Sequence, residues 1–466
     1  MPTSRLEHAL VLGGGLAGTL AAFALLQHAD TITVVDRDRL SGEQSRRKGA
    51  PHARHTHVLV SGGARAIDEL VPGTTKTLLA AGAQLINLPG RYLTLAPDGG
   101  WFPRFPGTQY ILGSSRDLLE STLRSRLREH QHVRFMDDTD VVGLTGDAAA
   151  VTGARLRTRS TGHLLDEAAD LVIDTTGRGS DAVGWLTELG LPSVRESVVD
   201  PGIFYATRIF RAPDEAGPDF PALNVQSSPI LTPEVRRGGT LIPIEDGLWT
   251  VTVAGATGDH PGIDDDGFAE FAASLPHPVL AELIAAAEPV GPAFGFRAHA
   301  NRRRYFERQR AAPRGFVVLG DAYATFNPIY GHGMSVAALS AIALRDGLQH
   351  HGPEATAVIQ RKIADTSNSA WTMATDQDLR YPQTVGPRPG LTTRLGYRLQ
   401  DWLGTKGMHS RTVATAQLDV FTLSASPRQA LRPRVLLDVL RSPRRPGLPA
   451  PPFTDDERHV LAPTPN

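Results

Sequence analysis

The run Ala9–Gly18, ALVLGGGLAG, with Thr31–Asp36, TITVVD, behind it decides how the chain begins to fold. The apolar stretch from Ala9 to Gln27 is long enough for a signal sequence or a membrane span. Its glycines at 13, 14, 15 and 18 would be costly inside one isolated helix. A strand Ala9–Leu12, a glycine turn, a helix Ala17–Gln27 and a second strand Thr31–Val35 explain the pattern better. That is a βαβ unit carrying G-x-G-x-x-G at Gly13, Gly15 and Gly18, with an acidic residue, Asp36, about twenty positions on. Gly13 suits the tight turn, Gly15 lets backbone approach a pyrophosphate, Gly18 lets helix and strand pack, and Asp36 accepts from a ribose. Gly13, Gly15, Leu16, Ala17, Gly18, Asp36 and Arg37 form the first candidate set, which by itself does not choose between NAD and FAD.

Outward from this unit lies a basic segment with Arg46, Arg47, Lys48, His52, Arg54, His55 and His57. No carboxylate falls within the cluster, so Lys48 and Arg54 are assigned to the nucleotide in preference to a histidine metal site. The spacing predicts helices over 59–70 and 115–129, the second placing Arg116 at its start. It also predicts an antiparallel meander over 141–170, with Val142 assigned to the cofactor site. A buried strand Leu171–Ile173 leads to Asp174, which is assigned to the cofactor site, then Thr175, Thr176, Gly177 and Arg178. Strands over 203–210 and 249–253 and helices over 268–274 and 279–288 point to an antiparallel sheet in the middle. The α/β pattern returns at Phe316–Leu319, Gly320-Asp321, Asn327-Pro328, Gly331-His332-Gly333 and a helix Met334–Arg345. Beyond about 370 the pattern is helical and ends in a Pro-rich tail.

The chain has 466 residues, enough for two to four domains. Lys plus Arg is 48 against Asp plus Glu at 49, which gives no electrostatic case for a nucleic-acid partner. The absence of cysteine excludes disulfides, thiolate catalysis and cysteine-held zinc or iron–sulfur sites. A cytoplasmic protein with no integral membrane span is expected. Arg428, Arg432, Arg434, Arg441, Arg444 and Arg445 are read as marking solvated faces.

Taken in order, Gly13–Gly18 with Asp36, Asp174–Arg178, and Gly320-Asp321 leading to Asn327–Met334 resemble the single-component FAD-dependent monooxygenases of the aromatic-hydroxylase superfamily over most of the chain. The resemblance implies that Asp321 meets the ribityl chain of FAD. It places Pro328, Gly331, Gly333 and Met334 around the isoalloxazine, with Gly331, His332 and Gly333 stabilising the flavin edge. Within that superfamily the segments 47–57 (RKGAPHARHTH), 174–180 (DTTGRGS), 205–208 (YATR), 301–303 (NRR) and 326–335 (FNPIYGHGMS) are most similar to bacterial flavin epoxidases of polyether-ionophore biosynthesis, the monensin and lasalocid type. His52 and Thr56 depart from that pattern, standing where those enzymes look to carry Gln and a small residue.

The resemblance implies an α/β architecture: a Rossmann-type FAD-binding domain (1–75, 106–185 and 297–370), an interleaved antiparallel-sheet substrate domain (76–105 and 186–296), and a C-terminal helical region with its tail (371–466). It implies oxygen transfer from O2 through a flavin C4a-hydroperoxide to an alkene of a lipophilic polyketide or isoprenoid in natural-product biosynthesis, with NAD(P)H or a separate flavin reductase as electron source. Such chemistry needs no catalytic triad and no metal. Tyr205, Trp249, Phe294, Phe296 and Phe326 are candidate substrate-wall residues, and Arg208 or Arg297 could meet a polar end. Aromatic hydroxylation would call for a buried His or Tyr pair, and a geranylgeranyl-reductase-like enzyme would saturate the alkene. The halogenase signature Trp-x-Trp-x-Ile-Pro is missing at Leu241–Ile244 and Leu248–Thr250. A flavin-bound subunit without turnover is a further reading.

Overall fold

The computed structural model describes residues 5–40, 49, 51–297, 300–443 and 446–461. Lys48, assigned above to the cofactor, lies outside them, as do Arg46, Arg47, Arg444 and Arg445.

The opening βαβ unit is the centre of a five-stranded parallel sheet, ordered Phe316–Val318, Leu171–Asp174, Leu6–Leu12, Ala29–Val35, Val133–Met136. Leu12 pairs with Asp174 on one side and Val35 on the other, so Gly13, Asp36 and Thr175 leave the sheet at the same edge. The runs Ala9–Leu12, Leu171–Ile173 and Phe316–Val318 are apolar without a break and buried, because both faces of the sheet's centre are covered. Helices Leu16–Leu25, Arg116–Arg128 and Gly333–His351 share one core with them, and the antiparallel meander Thr139–Gly146, Val151–Thr158, Leu164–Ala168 packs into a second. Ser115 starts its helix by accepting from Leu118 N–H at 3.1 Å, a serine N-cap.

A six-stranded sheet, ordered Glu288–Arg297, Phe204–Arg211, Leu248–Gly255, Arg237–Pro243, Ala222–Gln226, Tyr92–Thr94, makes the second layer system. One face buries a core with helices Asp265–Ala273 and Val279–Ala285; the other looks toward the parallel-sheet unit. Two expected helices are shorter than the pattern suggested. Val58–Val60 is a strand paired to Gln109–Gly113, so the helix begins at Ser61. The other stops at Ala285, and Glu288, read as helical, opens a strand.

C-terminal helices follow over Thr356–Asp378, Leu391–Gly407, Arg411–Phe421 and Pro433–Arg441. Among the described residues no helix is long and apolar enough to cross a membrane.

Candidate cofactor and substrate cavity

The edge of the parallel sheet, the Asn327–Gly333 turn and one face of the six-stranded sheet enclose a cavity of about 820 Å³. At the sheet edge Gly13 has φ +101°, and a Cβ there would stand 2.6 Å from the Thr175 carbonyl oxygen. A Cβ on Gly18 would stand 1.7 Å from the Gly13 carbonyl oxygen, so both positions admit only glycine. Gly18 accordingly does its work behind the cavity wall, whereas Gly13, Gly15, Leu16 and Ala17 form part of it. The N–H groups of the first helical turn have no intrahelical acceptor, and the helix dipole adds positive potential there. Asp36 ties the turn to the second strand, accepting from Gly14 N–H at 2.6 Å and Asp38 N–H at 2.8 Å while still facing the cavity.

Arg37, Arg116 and Val142 also line this end. Arg116 is held by Glu120, Nε to Oε1 at 2.6 Å. Two expectations are corrected here. Asp174 is fully buried behind the wall and accepts from Thr176 N–H at 2.8 Å and from the Thr176 and Ser180 hydroxyls, so it shapes the 174–180 turn without reaching the cavity. Arg54 is exposed, its guanidinium 4.5 Å above the Phe294 ring, and neither belongs to the wall. Arg178, by contrast, lines the cavity with Asp321 and Tyr205, a role that only its place in the DTTGRGS segment could have suggested.

Asp321 stands in the wall between the two glycine turns. Burial pushes its carboxyl above the usual range, opposed by the Arg178, Arg116 and Arg302 guanidiniums. Gly331 has φ +68° and would drive a Cβ to 2.2 Å from Val58 Cγ2. Gly333 starts the helix Gly333–His351, where a Cβ would find only Asp321 Oδ1, at 3.9 Å, so the backbone is open to the cavity. Pro328, Met334 and Phe326 complete this end. His332, 1% exposed, donates from Nε2 to the Phe421 carbonyl at 2.9 Å, and burial lowers its pKa to about 4. It is a neutral ring that fixes the turn against the C-terminal helix carrying Phe421, itself a wall residue.

A buried cluster missed by the sequence reading holds this turn. Asp378, at the end of the helix Thr356–Asp378 and fully buried, accepts from Tyr330 Oη at 2.7 Å, Asn301 Nδ2 at 2.6 Å, Asn327 Nδ2 at 3.1 Å and the Arg236 guanidinium. One carboxylate thus binds the turn, the strand Asn301–Arg304 and the residue just before the strand Arg237–Pro243 to the end of a helix, and breaking it would leave buried donors unpaired. Nothing in local sequence marks Asp378, because its partners come from three distant segments.

The sheet side is decided by strand alternation. Tyr205 and Thr207 point to the cavity face, as do Thr250 and Thr252 on the neighbouring strand. Hydrogen bonds run from Thr250 to Thr56 at 3.0 Å, Thr56 to Thr252 at 2.7 Å, Thr252 to Thr207 at 2.6 Å and Thr207 to His55 Nδ1 at 2.8 Å. His55 packs edge-on against Tyr205 at 4.7 Å and beside Phe296 at 5.4 Å, and burial lowers its pKa to about 4. Tyr205, Phe296 and Phe326 therefore reach the cavity. Trp249 does not: it is buried on the opposite face, stacked on Phe220 at 5.0 Å. Arg208 also points away, pairing with Asp265 at 2.9 Å and donating to the Gly291 carbonyl, and Arg297 is exposed. Phe294 shares the cavity-side register but is covered by Arg54.

No protein-family model matches the chain. It is 31% identical over 422 residues to Protein Rv3254 of Mycobacterium tuberculosis (strain ATCC 25618 / H37Rv), covering 85% of this chain and 86% of that one. Among solved structures it is similar to the flavin-dependent brominase Bmp2, with a TM-score of 0.65 and 15% identity over 93% of this chain and 100% of that one. It is also similar to p-nitrophenol 4-monooxygenase PnpA from Pseudomonas putida DLL-E4, with a TM-score of 0.61 and 18% identity over 91% and 99%. PqsL from Pseudomonas aeruginosa, described as a probable FAD-dependent monooxygenase, gives 0.58 and 16% over 81% and 98%. The architecture built above is thus the one seen in flavin-dependent monooxygenases and halogenases, and the chain belongs to the family of the mycobacterial protein Rv3254.

Proposed function

We propose that this cavity holds FAD and that the chain is an FAD-dependent monooxygenase that places one oxygen atom of O2 on a lipophilic small molecule. The observation that carries the proposal is that two helix N-termini, at Leu16 and at Gly333, open on one cavity with Asp321 in the wall between them. The residues present fit such a ligand. Gly177, Gly179 and Gly333 line the cavity with no room taken by side chains, and a Cβ on either of the first two would meet nothing within 4 Å.

Gly13, Gly15, Leu16, Ala17, Asp36, Arg37, Arg116 and Val142 would hold the nucleotide, Asp321 the ribityl hydroxyls, and Pro328, Gly331, Gly333 and Met334 the ring. FAD when bound supplies the redox and oxygen-activating chemistry, with NAD(P)H or a separate reductase as donor. The protein orients the substrate, excludes water and, through the Gly333 helix dipole, favours negative charge at the ring edge. The division of the chain into a discontinuous FAD-binding domain, a sheet domain for substrate and a C-terminal helical region is part of the same proposal.

At finer grain we infer epoxidation of an alkene in a polyketide or isoprenoid intermediate, supported by the epoxidase-like segments and by the apolar wall of Phe296, Phe326, Ile242 and Phe421. One observation favours a second reading, hydroxylation of an aromatic ring: the buried His55–Tyr205 pair and its threonine hydroxyls could hydrogen-bond a phenol. Incubating the reduced protein with O2 and a panel of polyenes and phenols separates these. Products heavier by one oxygen from the polyenes support epoxidation, ring-hydroxylated products alone favour the second reading, and alkene saturation without O2 uptake overturns the monooxygenase. Asp321→Ala is expected to weaken FAD binding by about ten- to a hundredfold, the loss of hydrogen bonds to a charged group. Unchanged flavin affinity by fluorescence titration removes Asp321 from the site.

A further inference from the structure

The C-terminal helices carry a feature the cavity does not use. On Leu391–Gly407 the buried residues are Leu403, Lys406 and Gly407, so its first three turns stand clear of the core. Leu391, Leu395 and Leu399, 80%, 62% and 40% exposed, repeat every fourth residue and form one apolar stripe. Exposed Arg394 and Arg398 flank it, with Arg388 just before the helix. The helix Pro433–Arg441 shares a small core with it through Val435, Val439 and Leu403, and adds exposed Leu437 and Leu440 beside Arg434 and Arg441.

The charge of this region is one-sided. Residues 388–441 hold nine Lys and Arg against three Asp, in a chain whose net charge is −1. Asp401 is neutralised by Arg380 at 2.5 Å, and Asp419 accepts from Gln109 at 2.6 Å. Leucines ringed by unneutralised arginines, on helical turns that precede the buried Leu403 and cover no core, have the composition of a helix that lies in a lipid interface. Arginine stems can bury their methylenes while the guanidiniums meet headgroup phosphates. A second copy of the chain would bring the same positive charge against itself, whereas an anionic bilayer complements it.

We propose that the Leu391–Trp402 face, with Leu437 and Leu440, is a reversible docking surface for an anionic membrane. The neighbouring helix Arg411–Phe421 packs against this one and delivers Phe421 to the cavity wall, so docking would bring the cavity close to the phase in which a lipophilic substrate dissolves. The surface stands on its own geometry and does not depend on the proposed oxygenation.

The test is flotation of the full-length, flavin-loaded protein with vesicles of phosphatidylcholine alone or with phosphatidylglycerol added, at low and high salt. Binding is expected to the anionic vesicles only and to weaken at high salt. Arg394→Glu with Arg398→Glu is expected to lower the partition coefficient at least about twentyfold, at roughly fivefold per charge. Leu391→Gln with Leu395→Gln and Leu399→Gln should abolish flotation, with an unchanged flavin spectrum as the control for folding. No flotation with anionic vesicles, or flotation equal in wild type and both variants, overturns the proposal. A concentration-dependent dimer in sedimentation velocity that the leucine variant disperses also overturns it, by assigning the stripe to a second copy of the chain.

Discussion

The two faces of the central strands Phe204–Arg211 and Leu248–Gly255 have similar burial and opposite chemistry. One face sets Ala206, Phe210, Trp249, Val251 and Val253 against two helices and is apolar apart from Arg208, which pairs with Asp265. The other sets Tyr205, Thr207, Thr250 and Thr252 toward the cavity and carries a continuous run of hydroxyl hydrogen bonds ending on His55. Burial alone therefore does not separate core from site in this protein. The separation comes from what each buried group is paired with: carbon packs on carbon on one face, while every polar group of the other needs a partner within reach.

The sharpest way to break this comparison is Trp249→Ala, which should cost about 3–5 kcal/mol of stability through lost packing and a residual cavity. Ligand binding in the surviving folded fraction should be unchanged. A stable variant with altered substrate affinity would place Trp249 on the wrong face here.

The buried histidines give a pH test of the cavity side. His55 and His332 are held near 4 in the fold against an ordinary value of 6.5. The unfolded chain takes up these protons first, so stability is full above about pH 6.5 and is lost as pH falls toward 4, by about 3 kcal/mol per ring at the limit. Urea unfolding of wild type, His55→Asn and His332→Asn at pH 7 and 4.5 measures it, and each substitution should flatten the pH dependence. An identical slope in all three proteins would show that neither ring is kept neutral.

A smaller effect is expected for Thr252→Val, which is nearly isosteric and leaves the Thr56 and Thr207 hydroxyls each short of a partner. It should cost about 1–2 kcal/mol, visible as a lower Tm, and change KM for a hydroxylated substrate more than for a hydrocarbon. Equal KM changes for both would confine the threonine run to a structural role.

Much of the fold was legible because it is written in local terms. The glycines at 13, 15 and 18 follow a short apolar run and precede a helix, and the packing distances at Gly13 and Gly18 explain why no other residue serves there. The strand ending at Asp174, the Gly320-Asp321 turn and the long helix from Gly333 are likewise continuous patterns. The cavity was legible only in part. Arg116 could be named because it sits at a helix start, whereas Asp321, Gly331 and Met334 were named through the family resemblance; all four line the cavity. Trp249 and Arg208 were misplaced because a strand pattern buried on both faces does not say which parity looks at the cavity. Asp378 and Phe421 were missed because their partners lie far away along the chain.

The sequence by itself therefore determined the parallel βαβ centre, the turns that only glycine can make and the order of elements, since these depend on neighbours a few residues apart. The tertiary structure alone decided which sheet face became the site, which carboxylate anchors the Asn327–Gly333 turn and where the C-terminal helices close the cavity. Those choices are set by contacts between distant segments, and burial and hydrogen-bond pairing are satisfied only when the segments meet.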